Sequence, residues 1–484
     1  MKKYIILIIG VLFLPEILTL AVYNDGGAYV YMGTLFFEGK LPYIHGWDHK
    51  GISLYLINGL GYLLGFKHLI GIRILEFILI ITSTLSLYSS LEKKYSKYTS
   101  LIAVVFGIFS MKYFFDGGNL TEIYALTFIF FSLSFLLKEK VKSFHYILIG
   151  FFFIISFTIR ANLIAFWGAY FFSIIYVFLK KKENFKNFFN KMFKMAIGVA
   201  IAILCLSIYF IATNTFSEFY NAAFTYNFSY SKQGFLQTIG SIITSTRRYE
   251  VSILMIFAFI ISIVSLLKKR NTFLEVLLLF WIPLELYFSN MSGKLYAHYY
   301  IMWVPIIVLS TIIIINYLKN EILSKEKRVL TLLIVSYLCF QIPIFKTALG
   351  YSRIIKNNEH KSKSLSKYVL NNYKDSSMLV WGNNIALYNL TEKRATVPYF
   401  YQTFFKVNSD VTKEIIKDFT QKFINNPPDL LIDSRTKAVL LLDESNYSDV
   451  DLHQKESFKD FFSFVKENYT FKKNTLGVDF YERK

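Results

Sequence analysis

Apolar runs of about 17 residues or more recur along most of this chain, separated by short connections rich in lysine. A helix of that length spans the hydrocarbon of a bilayer, and only helices or closed barrels satisfy their own backbone there. A β-barrel would show alternating stretches of roughly ten residues instead. The runs therefore predict membrane-spanning helices. The first follows Met1-Lys2-Lys3 and continues to about Val22; no small-x-small cleavage site is evident, so it reads as a retained span rather than a signal peptide. Ten more are expected at about 68–90, 98–114, 121–137, 144–160, 163–179, 195–213, 251–267, 272–289, 299–317 and 329–346. The fold class this predicts is an α-helical polytopic membrane protein of about eleven transmembrane helices.

Charge orients the spans. Every second connection is basic: Lys93, Lys94 and Lys97; Lys138, Lys140 and Lys142; Lys180, Lys181, Lys182, Lys186, Lys191 and Lys194; Lys268, Lys269 and Arg270; Lys319, Lys325, Lys327 and Arg328. Cytoplasmic loops carry such an excess, so these connections and the N-terminus are placed inside. The same bias accounts for the net charge of +20, which argues for a membrane and against nucleic acid as partner. The mean hydropathy of +0.41 and a hydrophobic fraction of 54% agree. Cys205 and Cys339 both sit in apolar runs and offer neither a disulfide framework nor metal-ligand spacing. Richness in Phe, Ile, Lys, Asn and Tyr suggests an AT-rich bacterial genome, hence a bacterial cytoplasmic membrane.

Four stretches then lie outside: a loop at 23–67, a turn at 115–121, a loop at about 214–250, and a tail from 350 to 484. The tail alternates short apolar strands (378–381, 428–432, 478–481) with amphipathic stretches at 411–425 and 458–469. It predicts a small extracytoplasmic α/β domain following a membrane module at 1–349. No internal repeat of the inverted-transporter kind is visible. Asn-x-Ser/Thr triplets begin at Asn119, Asn227, Asn290, Asn389, Asn446 and Asn468; all fall outside, as chance products of an Asn-rich chain.

Polar chemistry concentrates in the first outward loop. Asp25 follows the first span, with Tyr29 four residues on; Gly39-Lys40-Leu41-Pro42-Tyr43 and Trp47-Asp48-His49-Lys50-Gly51 follow. A carboxylate at the membrane surface is partly desolvated and so a stronger base. Asp25 equally suits the N-cap of a helix over 26–38. Asp48, His49 and Lys50 set an acid, an imidazole and a cation side by side before an amphipathic stretch at 52–66. Lys50 reads as a contact to a lipid phosphate or to anionic headgroups; His45 and His49 read as site or as ordinary loop residues.

This loop resembles the first periplasmic loop of the GT-C superfamily glycosyltransferases. These polyprenyl-phosphate-sugar-dependent enzymes include the protein O-mannosyltransferases and the aminoarabinose transferases of lipid A. The plan of first loop, helical bundle and small outward C-terminal domain is similar too. The resemblance implies that Asp25 is the catalytic base and that Lys50 contacts the donor phosphate. It departs from the family in Asp25-Gly26, where many members have Asp-Glu. It departs in Ala28, where aminoarabinose transferases carry Arg, and in Gly51-Ile52, where two prolines are common. It therefore points to neither named subgroup.

Other outward residues are candidates with plainer alternatives. Glu122 opens a span, as a dipole-favoured acid or as a sugar or acceptor contact. Arg160 ends a span, as a snorkelling charge or a phosphate clamp. Lys294, His298 and Tyr299 precede another span, as an aromatic belt or as part of the donor site. Arg247, Arg248 and Glu250 in the middle loop are candidates for contact with the carrier phosphate.

Together these readings predict an inverting transfer of a sugar from a polyprenyl-phosphate carrier to an acceptor hydroxyl of a glycan, lipid or protein at the outer membrane face. The substrate-contact set is Tyr29, Asp48, His49, Lys50, Glu122, Arg160, Arg247, Lys294, His298 and Tyr299. No cofactor is required by the pattern, and a divalent metal stays open. A lipid-linked sugar flippase would place ionisable groups in mid-span or show repeated halves. An oligosaccharide polymerase or ligase would depend on a large middle or late loop.

Overall fold

The computed structural model describes residues 1–18, 24–181, 184–230, 234–269, 272–321, 359–436, 439–443 and 456–484. The expected span at 329–346 lies outside these residues. So do Lys182, Arg270, Lys325, Lys327, Arg328, Cys339 and Asn446. The chain gathers into two compact units. One comprises Met1–Ile17, Leu75–Tyr209 and Gln233–Arg353; the other comprises Leu18–Ile74, Phe210–Lys232 and Ile354–Lys484.

The first unit is helical. It holds α1 (Lys2–Ile17), most of α4 (Ile70–Lys94), α5 (Lys97–Phe114), α6 (Thr121–Leu136), α7 (Ser143–Ile159), α8 (Ala165–Lys181) and most of α9 (Phe185–Thr213). It also holds α12 (Phe235–Arg248), α13 (Ser252–Leu267), α14 (Phe273–Asn290) and α15 (Val304–Glu321), the last preceded by a 3-10 turn at Ala297–Trp303. Every predicted span within the described residues coincides with one of these helices. Among the described residues, four stretches are long and apolar enough to cross a membrane: α4, α9, α14 and Ala297–Lys319; α12 with α13 makes a fifth if the bent pair is one span. The chain is a multi-pass membrane protein, and α6, α7 and α8 are shorter apolar helices.

Small residues let these helices approach closely, as association within lipid requires. A Cβ added at Gly150 of α7 would lie 2.0 Å from the Met195 carbonyl oxygen of α9, and one added at Gly198 of α9 would lie close to the Ile147 carbonyl of α7. The Ser86 and Ser134 hydroxyls meet at 2.7 Å between α4 and α6, and Ser90 donates to the Ser134 carbonyl at 2.8 Å. Glu285, a carboxylate within α14, accepts from Trp281 Nε1 at 3.1 Å and from Ser289 at 2.9 Å on its own helix.

The second unit joins the first loop to the tail. It contains α2 (Asn24–Leu35), α3 (Ile52–Leu64), a helical stretch of α10 (Phe216–Tyr220), a π-turn at Asn221–Thr225 and α11 (Tyr226–Tyr230). A helix at 359–372 then precedes β1 (Met378–Trp381), α17 (Ala386–Thr391), α18 (Asp410–Asn425), β2 (Leu430–Asp433), α19 (Lys459–Asn468), β3 (Tyr469–Thr475) and β4 (Val478–Arg483); the helix at 359–372 is α16. The sheet order is β1-β2-β4-β3, with β1 and β2 parallel and the other pairs antiparallel. Val380 aligns with Ile432, and Ile432 with Phe480. Trp381 stacks on Phe461 of α19 at 4.6 Å, and Phe419 of α18 lies 5.2 Å from the same ring. This aromatic layer is the core of the small α/β fold.

Two expectations change. The stretch expected as a loop at 214–250 is largely helical, because Phe216–Tyr230 and Phe235–Arg248 both sustain apolar positions at helical spacing. Strand β3 went unforeseen: after Tyr469 all its residues are exposed until the half-buried Thr475, so it lacks the alternation that marks a half-buried strand.

Candidate functional site

Backbone hydrogen bonds shape the first loop. Tyr43 N–H donates to the Gly46 carbonyl at 2.7 Å, and His45 N–H to the Leu41 carbonyl at 2.9 Å. The Leu41 N–H donates to His45 Nδ1 at 3.0 Å, which assigns His45 to the turn. Tyr43 sits at φ 70°, a left-handed conformation that this tight turn imposes on a residue with a side chain. Trp47 is then fixed by its N–H to the Pro398 carbonyl at 2.8 Å and by packing on Phe404 at 4.2 Å.

The next three residues form one cluster. Asp48 is 1% exposed. Its Oδ1 accepts the Tyr401 hydroxyl at 2.6 Å and the His49 N–H at 2.8 Å; its Oδ2 accepts the Tyr55 hydroxyl at 2.8 Å. Burial opposes ionisation of this carboxyl. The adjoining His49, the Lys50 cation and the Tyr401 hydroxyl outweigh burial and hold it well below the usual carboxylate range. Burial first, then the Asp48 carboxylate, push the Tyr401 phenol far above its ordinary value, so Tyr401 remains a donor.

His49 is pushed below the ordinary imidazole range, by burial and then by Lys50. Its Nε2 lies 2.5 Å from Lys50 Nζ, and its Nδ1 lies 3.3 Å from Asp48 Oδ1. An ammonium can only donate, so Nε2 accepts and the ring proton falls on Nδ1, facing Asp48. A neutral imidazole thus stands between a buried carboxylate and a buried cation. The backbone of the same residues is clamped too. Tyr43 and Tyr55 donate to the Lys50 carbonyl at 2.9 Å and 3.2 Å, and Asn227 Nδ2 donates to the His49 carbonyl at 2.7 Å. Asn227 follows the π-turn, a distortion that often re-aims side chains at functional positions.

Asp25 lies in the first turn of α2, which starts at Asn24. It is a first-turn acid favoured by the helix dipole rather than an N-cap. Its side chain is not covered by protein. Its charge is nonetheless felt at both His49 and Tyr401. Tyr29, one turn further along α2, is 2% exposed and also acts electrostatically on Tyr401. The helix is pinned at both ends: Asn389 Nδ2 donates to the Gly27 carbonyl at 3.0 Å, and Arg394 bonds Thr34 at 2.7 Å and Glu38, with its guanidinium 4.6 Å over the Tyr31 ring. The second unit therefore brings together Asp25, Tyr29, Asp48, His49 and Lys50 from the expected set.

The other expected residues belong to the first unit. Glu122, 1% exposed, pairs with Arg160 at 2.7 Å and accepts the Thr121 hydroxyl at 2.7 Å. The Arg160 guanidinium lies 4.4 Å over the Tyr299 ring. His298 Nδ1 meets Asp116 Oδ2 at 3.0 Å. Asp116, Gly117, Gly118 and Asn119 have φ of 45°, 84°, 82° and 53°, a left-handed run that explains the Gly-Gly pair. Its last N–H donates to Glu76 at 2.6 Å. Lys294 is exposed, and Arg247 is exposed on the last turn of α12. Among the described residues, no group of three or more His, Cys, Asp or Glu could hold a metal ion.

Sequence reasoning missed Tyr55, Asn227 and Tyr401. Tyr55 stands seven residues after Asp48 in the first turn of α3, a proximity that a helix starting at Ile52 could have suggested. Tyr401 is 353 residues from Asp48 and carries no local signal.

Solved structures share the fold. ArnT from Cupriavidus metallidurans in the apo state aligns with a TM-score of 0.58 at 10% identity, covering 99% of this chain and 97% of that one. The same protein bound to undecaprenyl phosphate aligns at 0.57 and 10% identity, over 99% and 98%. The oligosaccharyltransferase of Archaeoglobus fulgidus, in its apo form, aligns at 0.54 and 12% identity, over 89% and 69%. The chain has the fold of the GT-C superfamily glycosyltransferases. Residues 5–349 match the family described as "Putative competence-induced protein Ccs4 N-terminal domain", and the chain belongs to that family. No curated protein matches it in sequence.

Proposed function

We propose that the protein is an inverting glycosyltransferase that moves a sugar from a polyprenyl-phosphate carrier to an acceptor hydroxyl at the outer face of a bacterial cytoplasmic membrane. The observation that carries this reading is the cluster of Asp25 with Asp48, His49 and Lys50, on a GT-C fold. The likeness to ArnT, solved with undecaprenyl phosphate, supports a polyprenyl-phosphate donor.

Asp25 takes the proton from the acceptor hydroxyl as its oxygen attacks the anomeric carbon. The bond from that carbon to the phosphate oxygen breaks, and the carrier phosphate departs with the electron pair. The phosphate is a stable anion, so it needs positive charge rather than a proton, and Lys50 supplies it. The Lys50 ammonium fixes the His49 tautomer, the Nδ1 proton then faces Asp48, and Tyr401 holds that carboxylate in place. The exposure of Asp25 suits a base that meets an acceptor arriving from water. The membrane holds the prenyl chain, so the donor is concentrated and oriented. The eleven-span count, the cytoplasmic N-terminus and the outward tail belong to this same reading.

The test is release of free polyprenyl phosphate from a sugar-loaded carrier in proteoliposomes, with and without acceptor. Release should depend on Asp25. Movement of intact donor across the bilayer without release would replace the transferase with a flippase.

A further inference from the structure

Helix α12 has its polarity reversed for a helix packed on a protein. Thr238 and Ser245, at 1% and 0% exposure, are buried, whereas Phe235 and Leu236 are 66% and 82% exposed. Ile239 and Ile243 continue the exposed apolar edge. At 3.6 residues per turn these positions sort the helix into three sectors roughly 120° apart. One sector, with Thr238 and Ser245, is buried against protein: α12 packs on α14 and α13, and Ser245 bonds the Tyr300 side chain. One is the apolar edge. The third is polar and exposed, with Gln237, Thr244 and Arg248.

Helix α13, three residues further on, is bent 110° from α12. It is almost wholly apolar, and Ile256, Phe257 and Ile260 on it are about half exposed, as expected of a lipid-facing span. A helix nearly perpendicular to a span lies near the membrane plane. There a three-sector helix has an occupant for each side: protein beside it, acyl chains beneath, water above. The apolar edge of α12 is continuous in character with the lipid-facing side of α13. Arg247 and Arg248 close the helix at the end joined to the span, and both are exposed.

We propose that α12 is an in-plane anchor that buries its apolar edge in the bilayer leaflet and sets Arg247 and Arg248 on phospholipid phosphates. This surface is independent of glycosyl transfer and reassigns Arg247 from the carrier phosphate to the bilayer.

The experiment uses the full chain with Cys205→Ala and Cys339→Ala, in nanodiscs of phosphatidylglycerol or of phosphatidylcholine. Single cysteines replace Leu236, Ile243 and Thr244, all exposed, and carry nitroxide labels whose depth is read from oxygen and nickel-chelate collisions. The labels at 236 and 243 should lie in hydrocarbon at one depth, and the label at 244 in water. A broken span would separate 236 from 243 by about 10 Å in depth, seven residues at 1.5 Å each. That result, or aqueous contact at both sites, would overturn the anchor. Replacing Arg247 and Arg248 together by Ala should make the labels shallower in phosphatidylglycerol and leave them unchanged in phosphatidylcholine. Unchanged depth in both lipids, with weaker donor binding, would return the arginines to the carrier phosphate.

Discussion

Two buried carboxylates in this protein meet their neighbouring cations differently. Glu122 touches Arg160 directly at 2.7 Å, with the guanidinium laid over Tyr299. Asp48 is separated from Lys50 by the His49 ring and is satisfied by Tyr55, Tyr401 and the His49 N–H. The first arrangement makes each charge depend on the other for its burial. The second lets the carboxylate keep its charge through neutral donors and spend its effect on orienting an imidazole.

The largest expected effect belongs to Asp25, which is exposed and so carries little of the fold. Asp25→Asn should cut turnover by about 10²–10⁴-fold, the usual range for a lost general base, with unchanged thermal unfolding in detergent. Arg160→Met should do the reverse. It strands Glu122 and should cost about 3–5 kcal/mol of stability in the same unfolding measurement. Glu122→Gln in that background should recover a large part, since no buried charge then remains unmatched.

His49→Gln probes the relay through pH. The folded His49 is pushed below the ordinary range near 6.5, so it stays neutral where an unfolded or exposed histidine would take a proton. Its contribution is present above about 6.5 and is lost as pH falls, because the unfolded chain binds the proton first. Donor KM in the wild type should therefore hold through about pH 6.5 and rise only at lower pH, where His49 at last takes a proton and the imidazolium repels the Lys50 ammonium from its place. Gln keeps an acceptor for Lys50 and cannot titrate, so the acid limb should vanish. An identical limb in the variant would remove His49 from the relay. The smallest effect is expected of Tyr401→Phe. Asp48 keeps Tyr55 and the His49 N–H, so the loss should be about 1 kcal/mol, near fivefold in donor KM.

The sequence made local chemistry readable and left assembly hidden. Asp48, His49 and Lys50 are adjacent in the chain, and the run from Ile52 shows its helical period, so both could be read directly. The amphipathic stretches at 411–425 and 458–469 emerged as α18 and α19 within a residue or so. What could not be read were the partners brought by folding. Tyr401 reaches Asp48 across 353 residues and Asn227 reaches His49 across 178, pairings that no periodicity encodes. The middle segment was obscured for another reason. Residues 216–230 are helical but interrupted by a π-turn, and α12 presents an apolar edge outward, so neither follows the rule that apolar faces turn toward protein.

The central claim is that Asp25 supplies the base while Lys50 holds the carrier phosphate. It is tested most directly by measuring donor binding and polyprenyl phosphate release together in proteoliposomes for Asp25→Asn and Lys50→Met. Asp25→Asn should bind donor normally and release almost no phosphate, whereas Lys50→Met should lose donor binding. Near wild-type release by Asp25→Asn would contradict it.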